Sequence, residues 1–185
     1  MQRKAHAEID RVIGQDRLPT FADRERLPYI DAIIKETHRW QPVAPIGVPH
    51  AALQDDVYNG YLIPKGAQMV PNVGLFASDP IAYPEPERFN PDRFMTTPPP
   101  RDPTDFTFGF VRRVCAGRLL AEASMYLTIA QSLAAFEFGK AIDEDGNVIE
   151  PNINYGPGFV NHPPPFGVTT KVRSPEMERL IMAIG

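Results

Sequence analysis

The sequence predicts an α+β fold, mainly α with small β-sheets and rich in irregular coil. Three observations carry this. The chain holds 21 prolines among 185 residues, about twice the average usage of ~5%, so helices are confined to the proline-poor windows. Those windows, near residues 2–13, 28–40, 118–138 and 174–185, repeat apolar residues at helical spacing. Between them the apolar runs are short and punctuated by turn sequences such as Asn59-Gly60 and Pro64-Lys65-Gly66, which suits short strands and hairpins.

Taken in order, Ala5, Ile9, Val12 and Ile13 share one stripe, closed by Gly14, and read as an amphipathic helix with a C-terminal stop. Thr20 and Asp23 have capping-box spacing for a short helical turn. Pro28 suits the first turn of a second helix, in which Tyr29, Ile30, Ile33, Ile34 and Thr37 keep helical spacing. That helix must end before Pro42. Residues 56–63 read as two short strands around Asn59-Gly60, and residues 67–73 as a third. Residues 74–78 form a helical turn stopped by Asp79-Pro80. The triplet Pro98-Pro99-Pro100 lies in an exposed loop. Residues 119–138 are mostly apolar, but Glu122, Gln131 and Glu137 argue for a core helix rather than a membrane span. The acidic run at 143–147 lacks the Gly and Glu positions of a calcium loop and reads as a hairpin turn. A strand over 167–172 follows, and then a helix that starts at Ser174-Pro175-Glu176 and carries Met177, Leu180, Ile181 and Ile184 as its apolar stripe.

Composition excludes several functions. A net charge of −4 leaves no basic footprint for nucleic acid. One cysteine excludes an intramolecular disulfide framework and suits a reducing, intracellular compartment. The first ten residues are too polar for a signal peptide or membrane anchor.

That single cysteine, Cys115, lies in the stretch 108–117, which runs Phe-Gly-Phe-Val-Arg-Arg-Val-Cys-Ala-Gly. The thiolate, not the thiol, is the metal ligand, and a free cysteine with its usual pKa of about 8.5 is mostly protonated at pH 7. Arg112 and Arg113 precede it and a helix opens just after it. Cations and a helix N-terminus both favour the anion, and Gly117 leaves room for a flat group to approach the backbone. Most lone cysteines are small buried hydrophobes; this one has the surroundings of an axial sulfur ligand. Upstream, Glu36 and Arg39 stand three apart on one helix face. Pro91-Asp92-Arg93-Phe94 follows in the proline-rich stretch before the cysteine.

Together these stretches resemble the cytochrome P450 family. Phe108, Arg113, Cys115 and Gly117 fall on its cysteine-loop pattern, Phe-x-x-Gly-x-Arg-x-Cys-x-Gly. Residues 36–39 fall on its Glu-x-x-Arg helix, 91–94 on its downstream arginine motif, and 60–66 on its Gly-Tyr-x-Ile-Pro-Lys-Gly sheet segment. One position departs: the family has Gly where this chain has Val111, and a β-branched residue there costs on the order of 1–3 kcal/mol if φ is positive.

The resemblance implies a partial cytochrome P450-like fold, the proximal haem-binding half, with residues 1–185 as a single incomplete domain. It implies haem b, with Cys115 as the axial iron ligand, Arg113 and His50 as propionate partners, and Phe108 and Gly117 lining the cofactor. Glu36, Arg39 and Arg93 become a structural cluster. Val43, Ile46, Val48 and Phe159 become candidate substrate-pocket residues. The function implied is a haem-thiolate monooxygenase acting on a small organic substrate and fed by an electron-donor reductase. No distal helix is encoded, so a missing N-terminal half or another chain would be needed to cover the haem, and exposed apolar surface is expected. The alternative is a truncated, non-catalytic fragment that binds haem weakly or not at all.

Overall fold

The structure, a computed structural model, describes residues 1–156 and 158–184. Pro157, Gly185 and the side chain of Ile184, the last residue of the predicted terminal stripe, lie outside the described residues.

The first helix, α1 (Gln2–Val12), buries Ala5 and Ile9 completely. A short 3-10 turn, Phe21–Arg26, follows with the predicted capping box. The Asp23 carboxylate accepts from the Thr20 backbone N–H at 2.9 Å and from both terminal nitrogens of Arg17 at 2.7 Å. This bidentate guanidinium contact holds the Asp23 carboxyl well below the usual carboxylate range.

Helix α2 (Pro28–Trp40) opens on proline, and its N-cap residue Leu27 offers no capping side chain. Glu8 of α1 does that work from across the interface. Its buried carboxylate accepts from the backbone N–H groups of Tyr29 and Ile30 at 3.0–3.3 Å, which satisfies two orphan donors and places negative charge at the positive end of the helix.

Strand β1 (His50–Ala51), the hairpin β2 (Asp56–Tyr58) and β3 (Tyr61–Ile63), and β4 (Gln68–Met69) come next. Asn59 and Gly60 take φ of +50° and +83°, the left-handed geometry a two-residue hairpin needs. The strand expected over 67–73 is only two residues long, and it pairs with β1 rather than with the hairpin. Pro71 has no N–H to extend the ladder, and the Asn72 side chain accepts from the Leu75 N–H at 2.9 Å to cap α3 (Val73–Ala77). Val73, predicted in the strand, therefore starts a helix.

A proline-rich meander, including the 3-10 turn Pro91–Met95, leads to α4 (Thr104–Thr107) and then to α5 (Arg118–Ala135). The helical run expected through residue 138 stops at Ala135, because Phe136 and Phe138 join a strand. Strand β5 (Phe136–Ile142) is the centre of a three-stranded antiparallel sheet between β6 (Val148–Ile149) and β7 (Val168–Val172). Arg173 terminates the helix: its guanidinium donates to the carbonyls of Leu133 and Ala134 at 3.3 and 3.1 Å, and its backbone N–H to Ala135 at 3.0 Å. A cation on the last carbonyls opposes the negative helix end, and the same side chain reaches Asp10 of α1 at 2.6 Å. Helix α6 (Pro175–Ile184) buries Met177.

The main core joins α1, α2 and α5 through Ile9, Leu27, Ile30, Ile34, Tyr126 and Ala130. Within α5 the core begins at Met125 and Tyr126; Leu119 and Leu120 are 79% and 73% exposed. The expectation of exposed apolar surface is met at the end of α5 beside the cysteine. Among the described residues no helix is long and apolar enough to cross a membrane.

Candidate cofactor site

Two charged constellations stand out, and the first is fully built. Glu36, Arg39 and Arg93 are 0%, 1% and 9% exposed. Glu36 accepts from Arg39 Nε and Nη2, both at 2.8 Å, and from Arg93 Nε at 3.1 and 3.3 Å. The Asn90 backbone N–H adds a bond of 2.7 Å to the same carboxylate. The remaining guanidinium nitrogens donate to carbonyls: Arg39 to Ala77 and Arg88, and Arg93 to Pro84, Glu85 and Arg88. One carboxylate between two planar forks tolerates burial, because desolvation is offset by charge-assisted bonds on every side. The cluster ties α2 to the meander at residues 84–93 and to the end of α3.

The second constellation is the loop between α4 and α5. Its frame is the backbone: the Cys115 N–H donates to the Phe108 carbonyl at 2.7 Å and the Arg113 N–H to the Phe110 carbonyl at 2.8 Å. Gly109 has φ +85°, and a Cβ there would lie 2.8 Å from the Arg113 carbonyl oxygen, so only glycine fits. Val111 has φ +46° and is 90% exposed. The left-handed conformation suspected from its sequence position is present, on a β-branched residue that is strained there. The ends of the loop are tied by Arg118, which bonds Glu122 at 2.7 Å and the Thr104 hydroxyl at 3.0 Å. Phe108 lies beneath the loop, with the Arg118 guanidinium 5.8 Å from its ring centre and the His38 imidazole edge-on at 5.0 Å.

The residues around the thiol are of the kind that suit a flat, anionic group. Cys115 is exposed rather than turned into the core. A Cβ placed on Gly117 would stand 3.8 Å from its sulfur, so a side chain there would fill the space beside the thiol. Beyond it, the exposed Leu119 and Leu120 continue the apolar surface. Arg112 and Arg113 have no carboxylate partner among the described residues, which leaves both available to an anion. His50 and Phe110 line one cavity of about 220 Å³ with Met69, Val70 and Pro71, so β1 and β4 face the cysteine loop. Val43, Ile46, Val48 and Phe159 are all exposed. Their two segments are joined where Asn161 donates its backbone N–H to Val43 at 2.7 Å and its side-chain amide to Pro42 at 3.3 Å. Among the described residues no three His, Cys, Asp or Glu side chains gather to hold a bare metal ion. A solitary sulfur suits an iron whose other ligands arrive with its cofactor.

Sequence reasoning missed His38 as a neighbour of the loop. The signal was there: Ile30, Ile34 and His38 recur every four residues on the buried stripe of α2.

Comparison with known proteins identifies the family. The family profile described as Cytochrome P450 matches residues 1–170. The chain is 50% identical to cytochrome P450 monooxygenase claR of Ampulloclitocybe clavipes, covering 100% of this chain and 35% of that protein. It is also 50% identical to cytochrome P450 monooxygenase 208 of Postia placenta, over 99% of this chain and 36% of that protein. The chain thus spans about a third of the length of the curated relatives it matches. A zebra fish cytochrome P450 structure with abiraterone superposes with a TM-score of 0.81 at 34% identity, over 93% of this chain and 39% of that one; a second zebra fish structure, with progesterone, gives 0.79. The chain belongs to the cytochrome P450 family.

Proposed function

We propose that this chain supplies the proximal side of a haem-thiolate monooxygenase site, with Cys115 as the axial ligand of haem b. The observation that carries the reading is the exposed Cys115 sulfur, set beside the side-chain-free Gly117 and two guanidinium groups without carboxylate partners. When bound, a thiolate-ligated haem supplies electron density that favours O–O cleavage, so that one oxygen atom enters an organic substrate and the other leaves as water.

The chain's own residues do the holding. Arg113 of the loop and His50 of β1 would hold the two propionates. The Cys115 N–H, committed to the Phe108 carbonyl, holds the backbone of the residue that carries the sulfur. Phe110, Leu119 and Leu120 exclude water from the plate by apolar contact. The joined segments carrying Val43, Ile46, Val48 and Phe159 line the substrate side and favour an apolar organic molecule. The similarity to P450 structures that hold abiraterone and progesterone supports that class. An electron-donor reductase is the partner that the family implies, and further P450 polypeptide or another chain would be needed to cover the opposite haem face.

The test is reconstitution of the purified chain with haem, followed by the spectrum of the reduced, CO-bound form. The expected result is a red-shifted Soret band characteristic of thiolate ligation, absent in Cys115→Ser. A spectrum that Cys115→Ser leaves unchanged contradicts the assignment.

A further inference from the structure

We propose that His38 is a positioning residue for the cysteine loop: its neutral imidazole props Phe108, whose carbonyl anchors Cys115, and protonation loosens that anchor. The inference takes its functional meaning from the haem-thiolate reading and deepens it with a proton-sensitive support.

The geometry is direct. His38 lies in the last turn of α2 with its ring edge-on to Phe108, centroids 5.0 Å apart and planes at 70°. Phe108 in turn accepts the Cys115 N–H at 2.7 Å, a bond that pins the backbone of the residue carrying the sulfur. His38 Nε2 is buried without a hydrogen-bond partner. In the neutral tautomer protonated at Nδ1 this nitrogen is a bare acceptor, which is tolerable. In the imidazolium it becomes an N–H donor with nothing to bond, the more costly form of burial.

The charges around the ring do not rescue the cation. Glu122 of α5 and Asp102 before α4 favour it, and Arg118 opposes it. Both carboxylates are already engaged, Glu122 with Arg118 at 2.7 Å and Asp102 with Lys35 at 2.9 Å. Burial dominates, and the His38 pKa falls below its usual value of about 6.5. A base whose pKa is lowered by folding is held neutral by the fold. That contribution is fully present above the unfolded pKa and is lost as pH falls through the lower folded one. Loop anchoring is therefore complete at neutral pH and weakens on acidification.

Titration of the 185-residue chain by NMR tests this without haem. The His38 ring and the backbone amide of residue 115 should titrate together, with one midpoint below about 6.5. The amide titration should persist in Cys115→Ser, which removes the thiol, and disappear in both His38→Leu and His38→Gln. Should His38→Leu lose its helical circular dichroism, His38→Gln, polar and uncharged, carries the comparison. An amide at 115 that does not follow the ring, or that still titrates in His38→Gln, overturns the proposal. In the haem-loaded chain the thiolate-type Soret band should fade below the same midpoint in the wild type but not in His38→Gln. Failure of haem to bind at any pH, with the linked amide titration intact, would refute the haem reading and leave the positioning role supported.

Discussion

Arg39 and Arg93 are buried, fixed by Glu36 and by a ring of backbone carbonyls. Arg112 and Arg113 are exposed, without a carboxylate partner among the described residues. The contrast separates two uses of the same side chain. A guanidinium closed inside the protein has its donors consumed by the fold and holds elements together. One left open at the mouth of an exposed loop has its donors in reserve for something the polypeptide does not contain. The first region should respond to mutation through stability, and the second through ligand binding.

The largest effect expected from breaking this comparison is at Glu36. Glu36→Ala leaves two buried guanidinium groups facing each other, and removing one partner of such a network costs about 3–5 kcal/mol. Chemical denaturation should show most of the domain's stability gone. If the midpoint hardly moves, the cluster is not holding the meander to α2. Next comes Arg113→Ala, which should leave the denaturation midpoint unchanged and weaken haem retention by roughly tenfold, the worth of one charge-assisted contact of about 1.5 kcal/mol. A large loss of stability there would place Arg113 with the buried pair instead. Sharpening the loop is the third test: Val111→Gly relieves a left-handed β-branched residue and should stabilise by about 1 kcal/mol, read as a higher denaturation midpoint. No gain would mean the backbone relaxes around Val111 at no cost.

Much of this was legible in the sequence, for identifiable reasons. Helices α1 and α2 follow from apolar spacing and from Pro28, and the Asn59-Gly60 hairpin from turn chemistry that only a few residue pairs support. The left-handed φ at Val111 was inferable because a resemblance placed glycine there. Helix α5 was drawn three residues too long because Phe136 and Phe138 are apolar in either period; only the distant strand β7 and Arg173 decide for the sheet. The strand at 67–73 was too long because the N–H that Pro71 lacks outweighs β-propensity. Glu8 as the cap of α2 was hidden because it acts across a tertiary interface, where sequence distance carries no signal, whereas His38 was overlooked although its spacing from Ile30 and Ile34 was visible.

The smallest effect is a pH dependence in the outer turn. Folding depresses the Asp23 pKa, so its pairing with Arg17 stabilises above the unfolded value of about 3.9 and is lost as pH falls through the lower folded value. Asp23→Asn should lower the melting temperature by on the order of a few degrees at pH 7, with the difference closing in acid. A gap that is independent of pH would assign the loss to the capping bond with Thr20 rather than to charge.

The account rests most heavily on the bond between the Cys115 sulfur and iron, and X-ray absorption at the iron edge of the haem-loaded chain tests it directly. It should show one sulfur scatterer in the first shell that vanishes in Cys115→Ser, the chain having no other cysteine. A shell of nitrogen and oxygen alone in the wild type, or a sulfur that survives the substitution, would contradict the central claim.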